Sequence, residues 1–478
     1  MKNHIKKSIF LWSVFICTLS ISAQQINTLY FMENVPVRHY LNPAFQPSSN
    51  FYLGLPLLGN TQFGLGNNSL TLKNLIYNDE LGNTISFLHP NGNKELFLAA
   101  LKNTTSLETD LHVNLFSVGF RAGKSYLSVS LTEKIDGQLG IPKDFLKLLL
   151  VGTPDTASPN IYKLGSLGFD LNAYTEAALG YSLELTDSWS FGVKLKFLYG
   201  TANVSLANQY LDLKADIDEW FIGGKGMMNA SLPGDLQIGD NLNSISYIQP
   251  TSIDDWISPN GIGAGIDLGI AFKPIKNLTV STAITDLGMI NWNKNVNNIA
   301  YSLNYKFNGL GSFTGSDLEK MDADSVATSM LNALRDSALV SGTNNAYSTY
   351  TSPKLNIGVE FGVFNNKLSI GLLSRTMYQR KILYEELTAS LNFRPADWFN
   401  MSVSYSVLNG RMSNIGAGLG LRTGFIHWFV AADYVPIHYA PLALNSQDAN
   451  QSGFTAPIPY NTKGMNFAFG VNFVVGKK

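Results

Sequence analysis

Long segments in which apolar and polar side chains alternate strictly are the feature that most limits the folds open to this chain. Segments 355–363, 387–394, 399–407 and 466–475 all follow a two-residue period, which is the period of a β-strand. Segment 399–407 is apolar at Phe399, Met401, Val403, Tyr405 and Val407, and every position between them is asparagine or serine. The pattern therefore predicts long strands with two chemically distinct faces.

The second face of these strands carries glycine, serine and asparagine, whereas a face turned to water usually carries lysine and glutamate. Charged residues make up 14% of the chain, against about 25% in typical soluble domains. A strand that crosses a bilayer needs about 9–11 residues, with one face toward lipid and the other toward a lumen. We therefore predict an all-β fold, a transmembrane antiparallel β-barrel, in preference to a soluble β-sandwich.

Short turns give an expected strand number. The clearest hairpin joins the alternating segments 171–185 and 189–199 through Thr186-Asp187-Ser188. Six such turns are predicted, at 122–124, 186–188, 274–277, 365–367, 395–398 and 423–424. A barrel of n strands with both chain ends on one side has n/2 − 1 such turns, so six turns predict about 14 strands. The seven longer connections are then outer loops.

Two outer loops are predicted to contain helices. Ser316-Asp317-Leu318-Glu319 has the serine-to-glutamate spacing of a capping box. A second short helix is predicted at residues 143–150.

The amino terminus has the order of a secretory signal peptide. Lys2, Lys6 and Lys7 precede an apolar run from Ile9 to Ile21, and the small pair Ser22-Ala23 follows. About 13 apolar residues are too few for a helical span, which needs roughly 20. We predict a signal peptide at residues 1–23 and location in the cell outer membrane, with outer-membrane lipid as a partner. The only cysteine, Cys17, leaves with the signal.

The segment from 24 to 50 has no clear alternation. It contains Asn42-Pro43-Ala44, and an Asn-Pro pair favours a turn. A 14-stranded lumen is wide enough to need filling. We therefore predict that residues 24–50 form a hatch or plug, and that residues 51–478 form the barrel.

Charged residues at polar positions of the predicted strands should face the lumen, because arginine or lysine on the lipid face costs roughly 2–4 kcal/mol at the bilayer midplane. The predicted lumen charges are Glu176, Glu184, Lys194, Lys196, Asp267, Glu360, Arg375, Arg394 and Arg422. Two interpretations stay open for this set: a structural network that fills the lumen, and a polar pathway or ligand site.

Motifs of enzyme chemistry are missing. The sequence has no G-x-S-x-G, no H-E-x-x-H and no phosphate-binding loop. His39, His89, His112, His427 and His438 show no metal-ligand spacing. We expect no catalytic residue, no metal site and no cofactor. Without residues 1–23 the chain keeps 31 basic residues (34 − 3) against 35 acidic ones, a formal charge of −4, which argues against nucleic acid as a partner.

Three short stretches resemble the long-chain fatty-acid transporter superfamily: Leu41-Asn42-Pro43-Ala44, the hairpin around Gly180 and Gly192, and 265–270 followed by Thr285-Asp286-Leu287-Gly288. They are more similar still to an uncharacterised branch common in Bacteroidota and to barrels associated with the type IX secretion system. The resemblance implies a 14-stranded barrel with an amino-terminal hatch, in which Asn42, Pro43 and Ala44 match the hatch motif. In that superfamily a hydrophobic ligand binds inside and leaves through a gap in the wall; no residues here match a fatty-acid carboxylate site.

Two functions stay open. A passive transporter of a small, hydrophobic molecule should have a hatch, an apolar pocket under it and a break in strand pairing. A non-conducting binding or scaffold barrel for a cell-surface or secretion complex should have a sealed lumen and exposed apolar loop surface, for instance from Tyr434 to Pro441.

Overall fold

The computed structural model describes most of the chain outside its ends. The described residues are 26–78, 84–153, 160–216, 219–237, 239, 245–307, 332–379, 382–408, 411–435, 439–444, 454–460 and 463–476. The predicted signal peptide at residues 1–23 lies outside them, as does the predicted capping box at 316–319.

Fourteen antiparallel strands form the wall of a closed barrel. The first strand, β1, is in two pieces, Phe51–Gly54 and Thr61–Asn67. The others are β2 (Thr104–Ala122), β3 (Ser125–Pro142), β4 (Gly168–Glu184), β5 (Trp189–Ala215), β6 (Gly261–Ile275), β7 (Leu278–Trp292), β8 (Lys354–Val363), β9 (Leu368–Gln379), β10 (Ile382–Ala396), β11 (Phe399–Leu408), β12 (Arg411–Thr423), β13 (Ile426–Val435) and β14 (Gly464–Val475). Each strand pairs with the next, and β14 pairs with both β13 and β1, which closes the barrel.

The alternation of the sequence sets the two faces of the wall, as predicted. Leu179 on β4 and Leu195 on β5 point outward and are 62% and 57% exposed, whereas Lys194 and Lys196, on either side of Leu195, are buried. β8 alternates buried and exposed positions without interruption from Lys354 to Val363. The outer surface is therefore apolar, which suits lipid, and the polar half of each strand lines the lumen.

All six predicted turns join neighbouring strands, so the prediction of 14 strands is confirmed. We call the end of the barrel with these turns the turn end and the opposite end the loop end. Several strands run farther toward the loop end than the sequence indicated. β2 begins at Thr104, and β5 continues to Ala215 because its stretch Asn203–Ala215 pairs with strand Trp220–Ser231.

Short strands and α-helices lie at the loop end of the barrel. The strands are Ile76–Asn78, Thr84–Ser86, Asn160–Lys163, Trp220–Ser231, Asp235–Gln237, Ser246–Ile248, Val296–Phe307, Leu339–Thr343, Tyr347–Tyr350, Tyr439–Leu444 and Phe454–Pro459. The α-helices are α1 (Leu72–Leu75), α2 (Lys94–Ala100), α3 (Lys143–Val151) and α4 (Ile253–Ile257). The predicted helix at 143–150 is confirmed as α3. Within the described residues, every helix is too short or too polar to cross a membrane.

The main apolar core lies inside the barrel, at the turn end. It is built by Ile26 to Phe45, which contain the 3-10 turns Asn27–Phe31 and Pro36–Tyr40. The buried core residues of this segment are Ile26, Leu29, Tyr30, Phe31, Met32, Val35, Val37, Leu41, Ala44 and Phe45. They pack against wall residues such as Leu373, Phe429 and Ala468. We call residues 26–49 the hatch.

Candidate functional site: hatch, charged layer and broken strand

The inner wall around the hatch is lined with glycine, which lets the hatch backbone approach the strands closely. A Cβ added at Gly192 would overlap the backbone of Pro43, and one at Gly269 would overlap the side chain of Asn42. One at Gly371 would overlap the ring of Phe31. The hatch therefore fits a wall that is shaped for it.

Asn42, Pro43 and Ala44 form the turn that fastens the hatch to this wall. The Asn42 Oδ1 atom accepts a 2.9 Å hydrogen bond from the Ala44 amide, and Asn42 Nδ2 donates to the Thr282 carbonyl on β7 at 3.3 Å. The neighbouring Leu41 carbonyl accepts a 3.1 Å bond from Asn356 on β8. The sequence motif thus holds the turn shape and contacts two strands.

The first turn of the hatch is fixed by an acid on β13. Asp433 Oδ2 accepts hydrogen bonds from the amides of Asn27, at 2.5 Å, and Thr28, at 3.4 Å, and Asp433 Oδ1 accepts from the Thr28 hydroxyl. Asp433 and Tyr434 both point inward, because Tyr434 has a left-handed φ of 61° beside an irregularity in the β12–β13 pairing. A bulge of this kind re-aims one side chain.

A polar cavity of about 430 Å³ opens between the hatch and the turn end of the wall. Three of the predicted lumen charges line it: Glu184, Glu360 and Arg394. Arg394 Nη1 lies 2.9 Å from Glu360 and 3.3 Å from Glu33 of the hatch, and Arg38 lies 3.9 Å from Glu360. The pocket expected under the hatch is therefore polar, not apolar, because these ion pairs line it.

Buried ion pairs cross the lumen on the loop side of the hatch. We call them the charged layer: Lys134, Glu176, Lys196, Asp267, Asp286 and Lys354. Lys196 Nζ lies 2.8 Å from Asp267, 2.6 Å from Asp286 and 3.3 Å from Glu176. Lys134 Nζ lies 2.7 Å from Glu176, and Lys354 Nζ lies 2.7 Å from Asp286. The six side chains come from β3 to β8, so the layer joins strands across the interior.

Asp286 is the centre of the charged layer, since it accepts from Lys134, Lys196 and Lys354. It has a left-handed φ of 58°, next to a shift in the β6–β7 register, so that Thr285 and Asp286 are both buried. The Asp286 amide donates to Asp267 Oδ1 at 2.7 Å. Strict alternation does not predict that Asp286 faces inward. The sequence indicates it only by the adjacent polar residues Thr285 and Asp286, which interrupt the two-residue period.

The other predicted charges lie outside this layer. Lys194 Nζ sits 3.9 Å from the ring centroid of Tyr40 in the hatch, a cation–π contact. Arg375 is buried, and its Nε donates to Asn356 Oδ1 at 3.0 Å. Arg422 lies at the turn-end rim and donates to the carbonyls of Gly424 and Gly476, both at 3.1 Å. The structure thus divides the predicted set among rim, cavity, hatch and charged layer.

β1 is broken between Gly54 and Thr61. Six residues, 55–60, stand opposite only Gly470 and Val471 of β14. Leu55, Leu57 and Leu58 bulge outward and stay exposed. Sparse hydrogen bonds hold the excursion, among them Val471 N to Leu58 O at 2.7 Å. The wall therefore has an apolar lip on its lipid face at this point, which we call the break.

The hatch contacts the wall directly beside the break. His39 Nε2 lies 2.8 Å from the Tyr52 hydroxyl on β1. Asn114 on β2 accepts from the Leu57 amide at 2.9 Å and donates at 3.5 Å to the Tyr40 hydroxyl. Burial and the nearby Lys194 ammonium hold the pKa of His39 well below its usual range, so His39 is neutral at pH 7. Asn114 therefore joins the hatch to the lip, since its backbone carbonyl accepts from Leu57 and its side-chain amide donates to Tyr40.

A closed barrel with a transmembrane apolar belt, an internal hatch and a charged lumen defines the class: an integral β-barrel membrane protein of the outer-membrane type. The chain belongs to DUF5723, described as a family of unknown function, whose model matches residues 43–433.

Three bacterial proteins are among the solved structures to which this chain is similar. The toluene transporter TodX of P. putida is 7% identical over 96% of this chain and 97% of its own, with a TM-score of 0.43. A FadL homologue of Pseudomonas aeruginosa is 11% identical over 95% and 99%, with a TM-score of 0.43. The toluene transporter TbuX of Ralstonia pickettii is 8% identical over 96% of each chain, with a TM-score of 0.40. No curated protein matches the sequence.

Proposed function

We propose that this chain is an outer-membrane barrel through whose wall a small, hydrophobic molecule passes passively, under the control of the hatch. In this proposal residues 1–23 are a signal peptide, residues 24–50 are the hatch segment, and the turn end faces the periplasm. The proposal rests on the position of the break in β1. The break lies next to Tyr40 of the hatch.

The charged layer makes a straight axial path unfavourable for an apolar molecule, since it would have to separate buried ion pairs. The side route avoids this layer. Displacing the hatch would connect the cavity at the turn end to the break, where Leu55, Leu57 and Leu58 meet lipid. We therefore propose exchange between the surrounding lipid and the turn end of the lumen.

The scaffold alternative, a barrel serving a surface or secretion complex, depends on exposed apolar loop surface. Tyr434, at the start of the surface predicted for it, is buried, and its hydroxyl donates to Glu386 at 2.6 Å. Tyr439, farther along that surface, is 53% exposed, and residues 436–438 lie outside the described chain. No catalytic role is proposed for any residue.

Transfer of a pyrene-labelled long-chain alkane from protein-containing vesicles to acceptor vesicles tests the route. Wild type should speed the transfer several-fold over protein-free vesicles. A closing variant, in which two residues replace 55–60 to match Gly470 and Val471, should abolish the gain. Tyr40→Ala should increase it, because the ring behind the lip is gone.

Deleting four residues from the loop-end connection, 88–91, is the matched control for the shortened β1. It should fold and transfer like wild type, with folding checked by heat-modifiable gel mobility. Transfer that is no faster with wild type, or that survives in the closing variant, would reject the route and leave the scaffold function.

A further inference from the structure

A second group of lumen side chains has the arrangement of metal ligands. Asp110 on β2 stands directly opposite Asp136 on β3, and His112 is the next inward position on β2. His112 Nε2 lies 3.3 Å from Asp136 Oδ1. One ligand atom of each residue lies within 4.8 Å of the other two. Histidine spacing along the sequence does not reveal this group, because its residues come together by strand pairing.

A fourth candidate ligand lines the same place from another part of the wall. Gln379, at the end of β9, is 9% exposed, and its Oε1 atom has no hydrogen-bond partner among the described residues. It lines the same small cavity as Asp110, His112 and Asp136, with a volume of about 20 Å³. A buried carbonyl oxygen without a donor is costly, so the cavity calls for an electropositive occupant.

The charges around this cavity also favour a cation. The lysines that line it, Lys134 and Lys354, direct their ammonium groups to Glu176 and Asp286 of the charged layer. Two carboxylates that face each other away from bulk water repel unless a cation or a proton lies between them. Asp110 and Asp136 are such a facing pair.

We propose that Asp110, His112, Asp136 and Gln379 bind one divalent cation of the zinc type. An imidazole nitrogen with two or three oxygens suits Zn²⁺, which takes mixed nitrogen and oxygen ligands in four-coordinate sites. Ca²⁺ requires six to eight oxygens and Mg²⁺ keeps several waters. A cavity of this volume has room for about one atom-sized guest, so a hydrated ion does not fit.

The bound cation would link walls that are far apart in the strand order. β2 and β3 lie side by side, whereas β9 stands six strands beyond β3 around the barrel. The site adjoins the charged layer, with Asp286 lining the same cavity. It would therefore clamp the lumen shut on the loop side of the hatch. This inference does not depend on the transport proposal.

Metal binding to the purified, folded full-length barrel in detergent micelles tests the site. The probes are Zn²⁺ and Co²⁺, with Mg²⁺ for comparison, read by equilibrium dialysis with elemental analysis and by the visible absorption of Co²⁺. Wild type should bind one equivalent of Zn²⁺ that His112→Gln and Asp136→Asn weaken by about 100-fold, and Gln379→Leu by about tenfold.

His427→Gln is the matched control, because His427 is also buried in the lumen, on β13, away from these carboxylates. It should bind Zn²⁺ as wild type does, and each variant is first checked for heat-modifiable gel mobility. Absence of the equivalent in wild type, its persistence in His112→Gln, or equally tight binding of Mg²⁺ would overturn the proposal. In that case His112 and Asp136 form only a hydrogen-bonded pair.

Discussion

The two closures of the lumen have opposite construction. The hatch is one continuous segment, apolar at its core, that rests on a glycine-lined wall. The charged layer has no segment of its own, since its six side chains belong to the wall strands β3 to β8. A segment can leave as a unit while the wall stays intact, but the layer can open only if strands move apart. We therefore expect the hatch to be the movable closure and the charged layer the fixed one.

Of the changes that test this contrast, Asp286→Gly is expected to have the largest effect, a loss in the free energy of unfolding. Glycine suits the left-handed backbone at this position, so the loss comes from the missing carboxylate and not from strain. Lys134, Lys196 and Lys354 would all lose a partner in a buried setting, and breaking buried pairs costs about 3–5 kcal/mol. Urea unfolding of the barrel in lipid vesicles, followed by tryptophan fluorescence, measures the change.

Asp187→Ala, in the exposed turn between β4 and β5, is the control and should change the free energy of unfolding by less than about 0.5 kcal/mol. If Asp286→Gly is as stable as wild type, the charged layer does not hold the wall strands together, and the contrast with the hatch fails.

Gly192→Ala is expected to have a smaller effect, which is confined to the hatch. The added Cβ would overlap the Pro43 backbone, which must shift, and overpacking of this kind costs about 1–3 kcal/mol. The cost should appear as faster hydrogen exchange of peptides covering residues 26–49, with unchanged exchange in β3 to β8. Gly165→Ala is the control, because its Cβ meets only ordinary contacts. Equal acceleration in hatch and wall would show that the hatch does not move as a separate unit.

The smallest effect is expected from lowering the pH, which should weaken the seating of the hatch. The pKa of His39 is depressed in the seated hatch, whereas a released hatch has an ordinary histidine, near 6.5. The released state therefore binds the extra proton, and seating is strongest above pH 6.5 and weakens as the pH falls below it. The released population should rise by up to about tenfold per pH unit between 6 and 5.

Hydrogen exchange of residues 26–49 at pH 7 and at pH 5 measures this release, after correction for the intrinsic pH dependence of exchange. In His39→Gln the additional opening at pH 5 should disappear, since glutamine does not titrate. The same acid response in both proteins would assign it to groups other than His39.

Strand periodicity and turn residues were enough to predict the wall. They place Lys194, Lys196 and Glu360 at inward positions without any knowledge of three-dimensional contacts, because each strand carries its own two-residue period. The centre of the charged layer could not be predicted in this way. Asp286 points inward through a bulge; its partner Lys354 lies on the neighbouring strand β8, but Lys134 lies on β3 and reaches Asp286 only across the lumen.

The break in β1 could not be predicted from the sequence either. Residues 55–60 read as the start of an outer loop, since Leu-Pro-Leu-Leu-Gly-Asn has no alternation. The pairing of Thr61–Gly66 with β14 and with β2 shows that the strand resumes. The pairing of Asp110 with Asp136 could not be predicted either, because the sequence does not show that β2 begins as early as Thr104.

The position of the break in the order of the strands has a consequence for assembly. β1 and β14 are the first and last strands of the barrel, so the seam between them can form only when the whole sheet has been made. That seam contains the bulge of residues 55–60 between the paired stretches Phe51–Gly54 and Thr61–Gly66, and two bonds cross the bulge, from Leu55 N to Val471 O and from Val471 N to Leu58 O. The joint that is completed last during folding is thus also the joint that contains the break.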